Sequence, residues 1–416
     1  MLVRFLELVL GMMDEDHMNP YENSTNFSEI FRDSANSLGI ELLGVTSARP
    51  FRAAEKIARK RLNDGLMGEL KWYNERRIFR GTRPQELLSD AKSIVSVAMN
   101  YLPNPKMDEI VQSGHGRVAR YARGIDYHKV MKKRLRELMD IFSSRIEKTI
   151  KYKVYVDDGP MLDREVARRS GLGFYGKNTN ILTKFGSWVF LGQVLLDLEL
   201  RVDKSSGKSC GVCTDCIPVC PTGAIIAPYV IDSNRCISYL TIEHRGSIPR
   251  HLRPLIGDMV FGCDLCQEVC PVNRKRGTVT GHIEFRSSEH DAGINLEEIL
   301  LMDEEAFQQR FQNSPVRRAT RTGLQRNACI VLGNSKNPEA IVPLTHALSN
   351  EDYLVREHAA WALGQVGGKA AKESLEAALD LESNATVKDE ISEALGILIN
   401  EIAPRKKVLV KKKPQS

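Results

Sequence analysis

Long apolar runs are missing from this 416-residue chain. The opening stretch, Met1 to Gly11, is interrupted by Arg4 and Glu7 and is too short to cross a bilayer. It runs into Asp14-Glu-Asp16 rather than a small-residue cleavage site, so residues 1–25 are expected to be a frayed or disordered extension, with Met18 an alternative start. A Walker loop is also missing. The single G-x-G-x-x-G spacing, Gly171 to Gly176, follows a helical stretch rather than a strand and reads as a turn. An excess of one charge is absent from the body. The net +6 equals the six Lys and Arg after Pro404, so 403–416 is a basic, solvated tail and any nucleic-acid binding must come from local patches. Cysteine, finally, is absent almost everywhere. Only Cys329 lies outside one stretch, on the apolar face of its helix, where a core role is expected.

That stretch is where the chemistry lies. Cys210, Cys213, Cys216 and Cys220, followed by Pro221, have the C-x2-C-x2-C-x3-C-P spacing of bacterial ferredoxins. Cys236 stands alone, 26 residues intervene, and Cys263, Cys266, Cys270 and Pro271 complete a second run. Three thiolates two residues apart on a tight loop hold three corners of a cubane, and the fourth ligates the other cluster. Crossed ligation assigns Cys210, Cys213, Cys216 and Cys270 to one [4Fe–4S] cluster, and Cys220, Cys236, Cys263 and Cys266 to the other. Zinc is the alternative for paired C-x-x-C units, but it needs neither three-cysteine runs nor a terminal C-P. Thiolates kept for iron imply a reducing interior, hence the cytoplasm, and argue against a disulfide framework.

The pattern before the cysteines alternates. Helices are expected over Phe27–Leu38, Ala53–Asn63, Asp126–Lys148 and Leu162–Ser170; strands over Ile40–Val45, Ser93–Tyr101, Tyr152–Val156 and Trp188–Leu200. Such alternation fits an α/β or α+β domain spanning 26–203, with Lys204 to Lys208 the linker into a cysteine domain at 204–290. From 291 to 402 the pattern is helical and repeats. Leu332-Gly333, Leu363-Gly364 and Leu395-Gly396 end similar helices at offsets of 31 and 32 residues, and second helices follow at Ala340–Leu348 and Ala370–Leu379. Helix pairs at that period are HEAT-like, a surface for something long.

Two segments stand out without deciding their own role. Val156-Asp157-Asp158-Gly159-Pro160 ends a strand, where a carboxylate faces a pocket or caps the next helix. Asp126-Tyr127-His128 offers an N-cap and a histidine that suits packing better than ligation.

Those segments, with Arg120 to His128, Gly171 to Thr179, Gly186-Ser-Trp188, Cys236 to Glu243, Phe261 to Asn273 and the HEAT-like end, resemble the epoxyqueuosine reductases from about Asn26 to Asn400. The resemblance implies a nitroreductase-like α+β domain binding cobalamin, a two-cluster ferredoxin-like domain and C-terminal HEAT-like repeats. It implies reduction of the epoxide of epoxyqueuosine at the tRNA wobble position to the alkene, the last step of queuosine synthesis. Asp157 matches the aspartate of the family's D-x-G-P segment and is the expected proton donor. Cobalamin is expected base-off, without a protein histidine on cobalt: Asp126-Tyr-His128 is the chain's D-x-H, and Met131 stands where a D-x-H-x-x-G motif needs glycine. By position in the matching segments, Arg80, Tyr127, Asp157, Lys177, Asn178, Ser238 and Gln267 are expected cobalamin or substrate contacts. Phe174-Tyr175, where Trp-Ile is common, and Val272, often Trp, depart from the family in pocket detail.

For tRNA, Arg274, Lys275 and Arg276 follow the last cysteine, and Arg317, Arg318, Arg321 and Arg326 line the first repeat helix. A low-potential flavodoxin- or ferredoxin-type donor and a monomer are expected. Two other functions remain open: a non-enzymatic electron-transfer adaptor, and a reductive dehalogenase-like corrinoid enzyme, which the HEAT-like end disfavours.

Overall fold

The structure, a computed structural model, describes residues 20–104, 112–286 and 292–402. Residues 1–19 of the expected extension and the basic tail at 403–416 lie outside the described residues. The helix expected from Phe27 already begins at Pro20 and runs to Ser37. Strands follow in chain order: β1 (Leu42–Ser47), β2 (Ser93–Asn100), β3 (His115–Val118), β4 (Tyr152–Tyr155), β5 (Phe174–Tyr175), β6 (Ile181–Leu182), β7 (Val189–Leu196), β8 (Ile225–Ala227), β9 (Val230–Ile231), β10 (Met259–Phe261) and β11 (Gly293–Asn295).

β1, β2, β7 and β4 form an antiparallel sheet in that order. This makes the domain α+β rather than α/β. All eight positions of β2 are buried, because helices cover both faces. Successive side chains point to opposite sides. Val95, Val97 and Met99 therefore meet Leu135, Leu138 and Phe142 of helix Tyr127–Ile146 on one face. Ile94 and Ala98 meet Val166 and Ala167 of helix Asp163–Arg169 on the other.

A second sheet has the order β10-β3-β11, with β3 parallel to β10 and antiparallel to β11. It takes one strand from each of the three expected segments. The linkers at 203 and 290 are consequently breaks in sequence pattern, not in packing. One hydrophobic cluster continues from Val118 through Leu240, Phe261 and Leu296 to Leu324, Ala360 and Ile391.

The repeat helices are Arg321–Ser335, Tyr353–Val366 and Ala385–Ile402, alternating with Ile341–Ala347 and Gly368–Leu381. The first two of the recurring Leu-Gly pairs have a steric cause, while Gly396 faces open space. A Cβ on Gly333 would lie 2.8 Å from Ala362 Cα, and one on Gly364 would lie 2.8 Å from Ala394 Cβ. Only hydrogen fits where successive helices touch. Cys329 is buried in this core, as its apolar face implied. Among the described residues, no helix is long and apolar enough to cross a membrane.

Candidate functional site

The nine cysteines are free thiols. Those in the cysteine region gather by folding into two sets. Burial above all pushes up the Cys210 and Cys216 thiols, and the Cys213 and Cys270 sulfurs lie near enough to add to it. In the second set, burial pushes Cys263 up to about 12, with Cys236 and Cys220 adding to it. Cys266 is raised well above the ordinary thiol range by burial and then by Cys263 and Cys236. These are the groupings that crossed ligation would use. Among the described residues, no group of three or more His, Cys, Asp or Glu stands ready to hold a single metal ion. Thiols this covered ionise readily only against strong positive charge, so two four-sulfur sets fit iron–sulfur clusters chemically.

Four of the expected cofactor contacts line the seam between the first sheet and the cysteine loops. Lys177 Nζ donates to the Gly211 carbonyl at 2.9 Å, and the buried Asn178 donates from Nδ2 to the Cys266 carbonyl at 3.1 Å. Ser238 Oγ donates to the Cys263 carbonyl at 3.5 Å. Gln267 accepts from Ser187 Oγ at 2.7 Å and donates to Asp264 at 3.1 Å. Lys177, Asn178 and Ser238 thus brace the backbone of the cysteine loops, whereas Gln267 ties two side chains together. Arg80 lies apart, exposed on helix Glu75–Gly81, with its charge felt by Tyr155. His128 is engaged: it stacks on Tyr127 at 4.1 Å and pairs through Nδ1 with Asp126 at 2.7 Å. Asp126 also caps helix Tyr127–Ile146. A corrinoid that takes no protein histidine fits these surroundings.

The Asp157 loop is held from several sides. Asp157 is exposed and has a left-handed backbone, φ 53°, a conformation that Asp tolerates better than most residues. Its Oδ2 accepts from Tyr127 Oη at 2.8 Å. That phenol lies between His128 and Phe190, whose ring is 4.2 Å away, and burial keeps it protonated well above the usual range. Asp158 pairs with Lys132 and accepts from Val156 N at 3.0 Å. Arg77 donates to the Gly159 carbonyl. A Cβ on Gly81 would meet the Pro160 oxygen at 1.9 Å, so glycine alone lets helix Glu75–Gly81 clamp the loop. Neither aspartate caps helix Asp163–Arg169, whose N-cap, Leu162, makes no side-chain bond.

Distant segments converge on this acid. Arg77 and Arg318 both feel the charge of Asp157 and, for Arg77, also that of Arg318. Arg318 is fixed by a two-pronged contact with Glu243 at 2.9 and 3.0 Å. Sequence reasoning missed Arg77, Glu243 and Asp163. Asp163 opens the helix that follows the Asp157 loop.

The basic candidates separate. Arg274, Lys275 and Arg276 are exposed at the end of helix Pro271–Arg276, and Arg317 is exposed beside Arg318. Arg321 is mostly covered and is held by Glu304 and Glu351. Arg326 corrects the expectation of a phosphate contact. It is 0% exposed, and its guanidinium donates to the carbonyls of Leu240, His244 and Gly246 and to Asn327 Oδ1. A phosphate cannot reach it.

Three family models match the chain: epoxyqueuosine reductase QueG (DUF1730) over residues 82–158, a 4Fe-4S double cluster binding domain over 209–273, and HEAT repeats over 316–396. An epoxyqueuosine reductase of Xanthomonas campestris is 38% identical over 348 residues, 82% of this chain and 97% of that protein. A solved epoxyqueuosine reductase with a tRNA-Tyr epoxyqueuosine-modified stem loop is 32% identical, with a TM-score of 0.85 over 92% of this chain and 100% of that one. The Bacillus subtilis enzyme, solved with its aspartate catalytic loop swung out of the active site, is 31% identical, with a TM-score of 0.84 over 91% of this chain and 100% of that one.

Proposed function

The chain belongs to the epoxyqueuosine reductase family, and from that premise we propose that it reduces epoxyqueuosine at the tRNA wobble position to queuosine, with base-off cobalamin and two [4Fe–4S] clusters. Cys210, Cys213, Cys216 and Cys270 would hold one cluster, and Cys220, Cys236, Cys263 and Cys266 the other. Arg80, Tyr127, Lys177, Asn178, Ser238 and Gln267 are the candidate contacts for cobalamin or the substrate, with the nitroreductase-like domain on one side of the seam and the ferredoxin-like domain on the other. Bound there, cobalamin would supply low-valent cobalt chemistry, and clusters held by the two cysteine sets would supply single electrons drawn from a flavodoxin- or ferredoxin-type donor. The protein would act in the cytoplasm, as a monomer.

The observation that carries the proposal is the setting of Asp157. An alkoxide leaves poorly, so epoxide opening needs a proton at the departing oxygen, and a positioned acid contributes typically ~10²–10⁴-fold. Asp157 is exposed, aimed by Tyr127, and flanked by Arg318 from the edge of the repeats. A nucleotide turned out of its stack would thus meet an acid beside a cation suited to phosphate. The catalytic aspartate loop of the Bacillus subtilis relative supports the same role for this loop. Phosphate contacts then fall to Arg274, Lys275, Arg276, Arg317 and Arg318, with Arg321 reachable only if its acidic partners release it.

Anaerobic reconstitution with iron, sulfide and cobalamin, followed by mass analysis of tRNA nucleosides after adding reductant, tests the function. Loss of one oxygen from the modified nucleoside is expected. An unchanged nucleoside with both clusters and cobalamin in place would overturn it. Under the adaptor alternative, neither corrinoid nor tRNA would bind.

A further inference from the structure

Resting on the function proposed above, we propose that Asp163 stores the second proton of each turnover in a buried polar chamber beneath the Asp157 loop, and releases it through Asp157. Removing an epoxide oxygen as water takes two electrons and two protons. The first proton goes to the oxygen as one C–O bond opens. The second goes to the resulting hydroxyl as the other C–O bond breaks and the C=C bond forms. The low-potential donor provides both electrons. Asp157 holds one proton, so it must be reloaded within the turnover: an O–H bond breaks at Asp163 and one forms at Asp157. Solvent then restores Asp163 through the exposed Asp157.

The chamber is built by strand register. Ser96 on β2 lies opposite Gln193 on β7, and both are buried to 0% exposure. Helix Asp163–Arg169 packs over the two strands, and Gln193 Nε2 donates to the main-chain carbonyl of Asp163 at 3.4 Å. Three side-chain atoms here, Ser96 Oγ, Gln193 Oε1 and Asp163 Oδ1, are shut off from solvent without a hydrogen-bond partner. Buried polar atoms nearly always find partners, and three orphans on neighbouring positions mark a site for water and a mobile proton.

The electrostatics agree with the geometry. Burial first, then the charges of Asp157 and Asp158, push the Asp163 carboxyl up to about 8; Arg164 on its own helix opposes this. Arg77, from the clamping helix, also feels its charge. At neutral pH the acid is therefore loaded.

The test uses the full chain with clusters and cobalamin. In Asp163→Asn, turnover is expected to fall about 10²-fold, with KM for the modified tRNA within twofold and cluster absorption unchanged. The native rate should decline as pH rises through about 8, and the variant should lack that limb. Imidazolium should restore the variant's rate in proportion to its concentration, and an infrared band of a protonated carboxyl should vanish at neutral pH. Asp163→Glu should recover most of the rate. Native turnover and an unchanged limb in Asp163→Asn, or a folded Asp163→Glu as slow as the Asn variant, would overturn the proton store. Failure of the native chain to reduce epoxyqueuosine would instead remove the function on which it rests.

Discussion

Arg326→Met should destabilise the protein by about 3–5 kcal/mol while leaving the tRNA affinity of the folded fraction unchanged. The Arg326 guanidinium reaches the Leu240 carbonyl at 2.6 Å, His244 at 2.9 Å and Gly246 at 2.8 Å. These oxygens end helix Ile237–Ile242 and the turn after it, where carbonyls lack helical partners and attract a cation. Methionine fills the volume but donates nothing. Each orphaned buried carbonyl costs about 1–3 kcal/mol. Relief from burying a cation, which already pulls the Arg326 pKa down, offsets part of the sum. About 3–5 kcal/mol remains, the usual cost of breaking a buried charged network from one side. For a cooperative unit of 150–250 residues, 1 kcal/mol moves the melting temperature by roughly 2–4 °C, so a drop on the order of 10 °C is expected. Tryptophan fluorescence during melting reads this drop, and filter binding reads the affinity. A melt within about 1 kcal/mol of native would refute the buttress. A tenfold loss of affinity with an unchanged melt would return Arg326 to the tRNA surface.

Other outcomes follow from the same contacts. Asp157→Asn should lower turnover by ~10²–10⁴-fold with both clusters retained, and full activity would remove it as the acid. Tyr127→Phe deletes the 2.8 Å bond to Asp157 and should cost about 1 kcal/mol of transition-state stabilisation, roughly fivefold in kcat; a native rate would show that the phenol aims nothing. Replacing Arg317 and Arg318 together by alanine should weaken tRNA binding and reduce the slope of log affinity against log salt by about 1–2, and an unchanged slope would place the phosphates elsewhere. Glu382 is held down from 4.5 to about 2, chiefly by Arg356. Its folded pKa is depressed, so its contribution is whole above about 4.5 and lost as pH falls through about 2. Acid unfolding should accordingly steepen in that window for the native chain but not for Glu382→Gln.

Much of the architecture was legible because its signals are local. β2 follows from a short, nearly continuous apolar run and helix Tyr127–Ile146 from an apolar period of 3.6, and the Leu-Gly offsets revealed the repeats before any contact was known. The cysteine spacing likewise pointed to two four-sulfur sets, because short loops decide which sulfurs can share a centre. Pairing across long separations was not legible. Nothing near His115–Val118 announces partners at Met259–Phe261 and Gly293–Asn295. Burial of charge was misread for the same reason: Arg326 follows Arg317, Arg318 and Arg321 in a basic run, yet its fate is decided by carbonyls about eighty residues earlier. Asp163 went unnoticed because a carboxylate that begins a helix looks ordinary until the strands beneath it are known to bring Ser96 and Gln193 together.

The strand at His115–Val118 leaves the ribosome long before either neighbour exists. Its parallel partner begins at Met259 and its antiparallel one at Gly293. At typical synthesis rates of about 5–20 residues per second, that edge waits roughly 10–35 s with its peptide groups unsatisfied. Throughout that interval it is a template for the wrong strand. The first and second segments cannot close before the start of the third is made, so truncated versions ending near residue 280 should aggregate rather than yield a working redox half.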